Sequence, residues 1–346
     1  MQETTNQRNI PLILAPLAGV TDAAFRSVCF EHGADFAVTE MVSAQGLLHC
    51  KKDNPAMVSL LKKYDMENGR LAIQIFGREP LYMAEAAARL SETEGYCAID
   101  INMGCPAPKV TSGGNGSALM KKPLLCADIF RSVVAATLLP VTAKIRLGWD
   151  DTSKNALEIC RIAREEGVSA VTIHGRTRTQ MYSGRADWAA IGRIKAAVKL
   201  PIIANGDVFE PEDAVEIQKT TGADGVMIAR GALGNPFLFE QIKSLIGSGS
   251  YEIPDISKRI GVCLTHYERN IEENGSDIAI KEMRKHVAWY LSGFYGSAQL
   301  KQSVNQMQDY ETVRSALLAY EKQLRDIGKT LPTPRTRQSI SERAAE

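Results

Sequence analysis

The sequence predicts a (β/α)8 TIM barrel followed by a small all-helical C-terminal domain. Eight short apolar runs alternate with helix-period segments before residue 235, and only helix-period segments follow residue 245. Several runs are continuously apolar, which is typical of parallel strands covered on the outside by helices. Eight repeats of strand and helix favour a closed barrel. The runs are PLILA (11–15), FAVTE (36–40), LAIQIF (71–76), AIDIN (98–102), PVTAKIR (140–146), AVTIHG (170–175), PIIANG (201–206) and GVMIAR (225–230).

The competing fold is a doubly wound open sheet, in which Gly-x-Gly-x-x-Gly follows the first strand. No such motif follows the first apolar run, and GGNGSA at 113–118 has the wrong spacing. The predicted helices carry their own boundary signals. Pro211 lies near the start of one helix and Gly222 follows its end. The barrel is therefore the favoured fold.

The change of pattern after the barrel predicts the domain boundaries. The final residues include two prolines and few large apolar groups, so we expect disorder there. The predicted segments are an N-terminal tail (1–10), the barrel (11–245), a linker (246–256), a helical domain (257–328) and a C-terminal tail (329–346). The helices expected in the helical domain are 257–275, 279–296, 298–307 and 310–328.

Composition limits the classes of protein. A net charge of +1 over 346 residues neither requires nor excludes a nucleic-acid partner, so only a local basic surface would serve that purpose. Seven scattered cysteines without a Cys-x-x-Cys pair argue against a disulfide framework or a cysteine-rich zinc site. The polar N-terminus resembles no signal peptide, and no apolar run is long enough to span a bilayer. We expect a cytoplasmic protein with no metal and no membrane contact.

Polar residues recur at the predicted strand ends, where a barrel builds its active site. Nearly every strand finishes with at least one polar group, and this constellation outweighs any single residue in it. The strand-end residues are Ala15 to Gly19, Glu40, Gln74, Asn102 with Cys105, Lys144 with Arg146, His174, Asn205 to Asp207, and Ala229 to Gly231.

Taken singly, these residues have simpler interpretations. A loop cysteine such as Cys105 is most often a small, half-buried and inert residue. Burial of the Lys144 charge costs several kcal/mol unless it is paired, so an ion pair with Glu40 or Asp100 would explain it. His174 alone would be an ordinary core histidine.

Two chemistries suit the barrel mouth. The first is a Schiff-base lyase with Lys144 as the nucleophile. The second is a bound cofactor, with Lys144 as its electrostatic partner and Cys105 as an acid. Glycines after strands seven and eight favour the second, because barrels commonly bind a phosphate there. The neutral amides of Gln74 and Asn102 suit the flat, hydrogen-bonding ring of a flavin.

Eight motifs together resemble the tRNA-dihydrouridine synthases, most closely the bacterial B-type branch. The resemblance covers residues 11 to about 245 in order and continues into the predicted helical domain. Its most specific part is Met-Gly-Cys-Pro. The motifs are APLAGVTD (15–22), IQIFG (73–77), DINMGCPAPKV (100–110), GSALM (116–120), AKIRLGW (143–149), IHGRTR (173–178), ANGD (204–207) and MIARGALGNP (227–236), followed by EMRKHVAWYLSGFYG (282–296).

The resemblance implies an FMN enzyme that uses NADPH to reduce the C5–C6 bond of particular uridines in tRNA. It implies that Lys144 and His174 hydrogen-bond the flavin and the neighbouring uracil. Ala229 stands where many members of the family have glycine, and its methyl group would narrow the approach to the phosphate. The implied flavin-ring contacts are Pro16, Leu17, Ala18 and Gln74, and the implied ribityl and phosphate contacts are Asn205, Gly206, Asp207, Ala229 and Arg230.

The resemblance also implies that Cys105 donates the proton. Hydride transfer to C6 of uracil leaves enolate-like charge, which an acid must quench at C5. A uridine in folded tRNA must first be flipped out, at a cost of a few kcal/mol. We interpret Gly113, Gly114 and Gly116 as allowing a lid that carries Cys105 to close over that base.

A neutral protein needs a local basic path to bind tRNA. We expect that path between the barrel mouth and the helical domain, with Asn102 contacting the substrate uridine. A solvated helix face is the simpler interpretation of the same charges. We expect a monomer, since one chain would suffice to bind tRNA. The residues assigned to the path are Arg176, Arg178, Lys281, Arg284 and Lys285.

Two further functions compete with tRNA reduction. Another flavin-dependent barrel enzyme would act on a small molecule and would bind FMN without needing the helical domain. A non-catalytic tRNA-binding protein with the same fold would bind tRNA without oxidising NADPH.

Overall fold

A closed barrel of eight parallel strands forms the larger part of the computed structural model, which describes residues 10–51 and 54–333. Each strand pairs with the next, and the last pairs with the first, so the barrel prediction is confirmed and the open sheet is excluded. Most of both predicted tails lies outside the described residues. The strands are β1 (Leu12–Leu14), β2 (Phe36–Val38), β3 (Leu71–Phe76), β4 (Tyr96–Met103), β5 (Val141–Arg146), β6 (Ala170–His174), β7 (Ile202–Asn205) and β8 (Gly225–Ile228).

Helices connect successive strands around the outside. A two-residue strand, Val42–Ser43, also pairs with β3, and the sequence did not predict it because two residues carry no periodic signal. The helix after β7 begins at Pro211 and ends before Gly222, as predicted. The helices are α1 (Ala23–Glu31), α2 (Ala44–His49), α3 (Pro55–Leu61), α4 (Pro80–Ser91), α5 (Pro108–Thr111), α6 (Pro123–Ala136), α7 (Ala156–Glu165), α8 (Trp188–Ala197), α9 (Pro211–Thr221) and α10 (Leu238–Ser248), with short 3-10 turns at Asp65–Glu67, Gly116–Lys121 and Arg230–Ala232.

Strand alternation decides which side chains enter the barrel. In β3, Ile73 and Ile75 are fully buried in the layer between strands and helices. Ala72 belongs to a small interior cluster instead. Because side chains alternate along a strand, Gln74 lies on the same interior side as Ala72, at the carboxyl end of the barrel.

The last four helices form a unit with its own hydrophobic core, separate from that of the barrel. The predicted helix over 279–296 ends earlier, at Tyr290, and Gly293 and Gly296 beyond it have positive φ angles of 88° and 69°. Such left-handed conformations end an α-helix. The helices are α11 (Ile256–Asn274), α12 (Ser276–Tyr290), α13 (Ser297–Val304) and α14 (Tyr310–Asp326).

The helical unit packs directly on the barrel. The buried Arg259 guanidinium donates to the Gly234 carbonyl oxygen at 2.7 Å, and Asn270 Nδ2 donates to Asp22 Oδ2 at 3.0 Å. Gly234 has a φ of 61°, and a Cβ added there would collide with the Trp289 backbone. This glycine therefore permits the close approach of α12 to the barrel.

Gly222 offers a matched comparison, because its φ is also 61° and an added Cβ would meet nothing within 4 Å. We predict that Gly222→Ala lowers the free energy of unfolding by about 1 kcal/mol through backbone strain alone. Gly234→Ala adds a steric clash and should cost roughly 1–3 kcal/mol more. Thermal unfolding midpoints measure the difference, and equal midpoints would contradict the close packing of α12.

Candidate active site

A cavity of about 370 Å³ opens at the carboxyl ends of the strands. This volume lies in the range of about 300–1,000 Å³ that is usual for small-molecule and cofactor sites. Every residue assigned above to catalysis or to the cofactor lines the cavity, as does Asn102. The structure therefore brings together residues that are spread along the chain from Pro16 to Arg230.

A chain of buried hydrogen bonds leads to the cysteine. Gln74 Nε2 donates to Asp100 Oδ2 at 2.7 Å, and Asn102 Nδ2 donates to Gln74 Oε1 at 2.8 Å. Asn102 Oδ1 in turn accepts from the backbone N–H groups of Gly104, at 3.2 Å, and Cys105, at 3.0 Å. Because the N–H groups only donate, both amide orientations are determined along the chain. We call these residues the Asp100 relay.

The first member of the Asp100 relay is fully enclosed. Burial raises the pKa of Asp100, while hydrogen bonds from Gln74 and Thr142 act in the opposite direction. Thr142 Oγ1 donates to Asp100 Oδ1 at 2.6 Å. Both carboxyl oxygens of Asp100 therefore accept a hydrogen bond, but only Oδ2 accepts one from another member of the relay.

Lys144 lies in the cavity without a carboxylate partner among the described residues. Its Nζ donates to Asn205 Oδ1 at 3.0 Å, and neither Glu40 nor Asp100 forms an ion pair with it. Burial, with the neighbouring Arg146 charge, lowers the pKa of Lys144 to about 8. The ion pair considered from the sequence is thus absent between these residues, and the ammonium is held by an amide oxygen.

Arg176 is inside the protein, not on its surface. It is 1% exposed, and its guanidinium binds the Asp207 carboxylate through two hydrogen bonds of 2.8 and 2.7 Å. Arg230 approaches the same carboxylate at 3.4 Å. A tRNA phosphate contact was expected for Arg176, which requires an exposed guanidinium. The structure instead buries this guanidinium in an ion pair with Asp207.

His174 is buried in a cationic environment. Burial, followed by the charges of Arg146 and Lys144, lowers the pKa of His174 well below its usual range. The ring is therefore neutral, with one donor and one acceptor nitrogen for hydrogen bonds. Gly206 has a φ of 122°, and a Cβ there would approach His174 Cδ2 to 2.9 Å. Glycine at this position allows the loop after β7 to pack against the imidazole.

The sequence assignments omitted Arg146, although it was noted at a strand end. It is 2% exposed, and its guanidinium donates to the carbonyl oxygens of Gly104, Thr177 and Met181 at 2.8 to 3.0 Å. Arg146 thus joins the loop that carries Cys105 to the loop after β6. Its position two residues after Lys144, on the same side of β5, was the available signal.

The helical unit also reaches the cavity. Trp289 of α12 lines it, four residues after Lys285, which donates to the Gly19 carbonyl oxygen in the loop after β1. Arg284 is half-buried and donates to the Met307 carbonyl oxygen at 3.3 Å, whereas Lys281 is exposed. No sequence signal pointed to Trp289, because its contact with the barrel exists only in the folded chain.

A closed parallel barrel with a cationic, amide-lined cavity at its carboxyl end has the architecture of an α/β-barrel enzyme. The family model described as Dihydrouridine synthase (Dus) matches residues 13–326. The chain belongs to the dihydrouridine synthase family, and its assignment from sequence as a tRNA-dihydrouridine synthase is confirmed. The Schiff-base lyase and the non-catalytic tRNA-binding protein are therefore set aside.

Individual relatives support the same assignment. A probable tRNA-dihydrouridine synthase of Rickettsia conorii is 39% identical over 92% of this chain and 95% of that protein. A tRNA-dihydrouridine synthase B of Vibrio cholerae is 40% identical over 89% of this chain and 95% of its own length. The solved structure of histamine dehydrogenase from Rhizobium sp. 4-9, 13% identical, has a TM-score of 0.51 over 80% of this chain and 49% of that chain, which shows only a shared fold.

No helix in residues 10–51 or 54–333 has the length and apolar character needed to cross a bilayer.

The Asp100 relay generates a prediction about activity. We expect Asp100→Ala to lower dihydrouridine formation on unmodified tRNA by about 10- to 100-fold, because loss of the first acceptor frees both amides and misplaces the Cys105 loop. Asp100→Asn should retain most activity, since its amide oxygen accepts from Gln74 and its NH2 donates to Thr142 Oγ1.

Thr142→Val is the matched control, because it removes a hydrogen bond to the other oxygen of the same carboxyl group. We expect it to change turnover less than about threefold, the scale of one modest hydrogen bond. Equal losses in Asp100→Ala and Thr142→Val would contradict the relay.

Proposed function

We propose that the protein reduces particular uridines in tRNA to 5,6-dihydrouridine, with FMN as cofactor and NADPH as reductant. The observation that carries this proposal is the convergence of Cys105, Lys144 and His174 on one cofactor-sized cavity in a dihydrouridine synthase. When bound, FMN would supply the hydride for C6 of the uracil, with NADPH as the source of that hydride. The protein side chains bind the cofactor, orient the uracil and protonate it.

The lining residues fit an anionic cofactor. Four cations and one acid line the cavity, and the acid, Asp207, is already paired with Arg176. The surplus positive charge suits a phosphate at the end formed by Gly206, Asp207, Ala229 and Arg230. The Ala229 methyl group leaves less room there than the family's glycine. The lining cations are Lys109, Lys144, Arg146 and Arg230.

A second group of lining residues fits a flat heterocycle. Pro16, Leu17 and Ala18 offer an apolar edge, and Gln74 of β3 lines the same cavity. The amides of the Asp100 relay are held in one orientation, which suits a ring with donors and acceptors at defined positions. Flavin is the cofactor class that combines such a ring with a phosphate.

Cys105 is the proposed proton donor to C5 of the uracil. Its backbone N–H is held by Asn102, and its carbonyl oxygen accepts from Ser117 N at 3.1 Å and Ser117 Oγ at 2.9 Å. Cys105 therefore lines the cavity from a loop whose backbone is held on both sides. Lys144 and the neutral His174 hydrogen-bond the flavin and the uracil, and Asn102 contacts the base.

The proposed tRNA path uses the accessible cations. Lys281 is exposed and Arg178 is partly exposed, so both can reach phosphates. Arg284 and Lys285 retain the same proposed role from half-buried positions, where each now also holds a backbone carbonyl. Arg176 would have to break its ion pair with Asp207 to contact a tRNA phosphate. The helical domain as the tRNA-binding region, a monomeric state and a cytoplasmic location remain predictions.

Purified protein tests the cofactor and the acid together. We expect a flavin spectrum that is bleached by NADPH, and dihydrouridine formation on unmodified tRNA. Cys105→Ala should retain FMN and its reduction by NADPH while losing about 100- to 10,000-fold of dihydrouridine formation, the scale of general acid catalysis. A protein that cannot be loaded with FMN would overturn the cofactor assignment, and full activity of Cys105→Ala would overturn the acid role.

The lowered pKa of Lys144 predicts a pH-dependent FMN affinity. As the pH rises through about 8, the buried ammonium loses its proton, and a charge-assisted hydrogen bond becomes a neutral one. The difference of roughly 1–1.5 kcal/mol should weaken FMN binding about tenfold between about pH 7 and pH 9.5. Titration of apoprotein with FMN at each pH measures this change in affinity.

Two variants make this result specific. Lys144→Arg keeps its charge over this range, so its FMN affinity should change little with pH. Cys105→Ala should show the same pH dependence of FMN affinity as the unchanged protein. This result would assign the pH effect to Lys144 and not to the thiol. A flat profile in the unchanged protein would show that the Lys144 charge does not hold the cofactor.

A further inference from the structure

A tryptophan outside the cavity lies against two cations at the same end of the barrel. Lys121 Nζ is 4.7 Å from the centroid of the Trp149 ring, and the Arg178 guanidinium carbon is 4.6 Å from it. Trp149 follows β5 by three residues, Arg178 follows β6 by four, and Lys121 ends the 3-10 turn after α5. All three therefore belong to connections that leave the carboxyl ends of neighbouring strands.

Backbone hydrogen bonds fix this cluster. Arg178 N donates to the Gly148 carbonyl oxygen, and Thr179 N donates to the Trp149 carbonyl oxygen, both at 3.0 Å. A Cβ at Gly148 would collide with the Ser153 backbone, so the loop after β5 folds back tightly there. The tryptophan thus holds two flexible cations in one place at low entropic cost.

The two cations have no carboxylate partner among the described residues. The two acids that follow Trp149 have other partners, since Asp150 Oδ1 accepts from Thr152 and Ser153 and Asp151 pairs with Lys154 at 2.9 Å. Arg178 Nε is buried and has no hydrogen-bond partner in the described part of the chain. Two like charges near one ring repel each other, and a bound anion beside them would reduce that repulsion.

We propose that Lys121, Trp149 and Arg178 form a binding site for a tRNA backbone phosphate. The site rests on the proposed function, and it adds Lys121 and Trp149 to the residues that contact substrate. With two cations within 5 Å of its centroid, the Trp149 ring holds the charges in place, and the ligand is a phosphodiester. A phosphate is the anion that Lys and Arg bind most readily in nucleic acids.

The phosphate site is connected to the acid. Lys121 ends the turn Gly116–Lys121, and Ser117 of that turn donates two hydrogen bonds to the Cys105 carbonyl oxygen. A Cβ at Gly116 would approach that carbonyl oxygen to 2.8 Å, so the turn packs tightly on the cysteine loop. A phosphate bound at Lys121 therefore holds the segment that supports Cys105, and this contact places the tRNA relative to the proton donor.

Lys122 provides the matched control, because it is the adjacent lysine, is also exposed, and forms no contact with the Trp149 ring. The affinity for unmodified tRNA is measured at several salt concentrations for Lys121→Ala and Lys122→Ala. We expect Lys121→Ala to bind about 3- to 10-fold more weakly, with the slope of log K against log salt reduced by roughly 0.7–0.9. Lys122→Ala should match the unchanged protein in both measurements.

Trp149→Phe tests the role of the ring while keeping both charges. A weaker cation–π partner should lower tRNA affinity in the same direction but by less than Lys121→Ala. Thermal unfolding midpoints equal to that of the unchanged protein exclude a folding defect. If Trp149→Phe fails to fold, the comparison of the two lysine variants still decides the proposal.

NADPH kinetics distinguish a tRNA phosphate from the phosphates of NADPH as the ligand of this site. Reduction of bound FMN by NADPH without tRNA should have the same KM in Lys121→Ala as in the unchanged protein. A raised KM with unchanged tRNA affinity would assign the site to the NADPH phosphates and overturn the tRNA proposal, as would identical tRNA binding by the two lysine variants. Normal tRNA binding without dihydrouridine formation in the unchanged protein would instead contradict the proposed function, and the comparison of the two lysine variants would still decide the phosphate site.

Discussion

Hydrogen bonding between β1 and β8 closes the barrel, and the active site depends on that closure. Because all eight strands are parallel, closure brings every carboxyl end to one mouth. Alternation along each strand then decides which side chains face the interior. Gln74, Lys144 and Asn205 come from three different strands. They line one cavity because all three lie near the carboxyl ends of their strands.

Within that mouth, buried polar groups impose the second constraint. A buried amide or carboxyl group costs free energy unless it is hydrogen-bonded, so each polar residue at a strand end needs a partner. Asp100, Gln74 and Asn102 satisfy one another in sequence, and the last free acceptor holds the Cys105 backbone. The hydrogen bonds that satisfy these buried polar groups therefore also hold the Cys105 backbone in place.

The helical unit packs on the barrel and also lines the cavity. Lys285 holds the loop after β1, and Trp289, one turn further along the same helix, lines the cavity. The close approach that this requires is permitted by Gly234, where any side chain would strike α12. A region that a charge pattern alone assigns to tRNA binding thus also supports the pocket of the barrel.

The sequence by itself determined the eight barrel strands, the order of strands and helices, and the cavity residues at strand ends, because these follow from local periodicity and from the geometry of any such barrel. Tertiary structure decided the rest. The pairing of Arg176 with Asp207 and the entry of Trp289 into the cavity join residues far apart in the chain. Whether an arginine faces solvent or a carboxylate depends on the burial and charge around it, and local sequence carries neither.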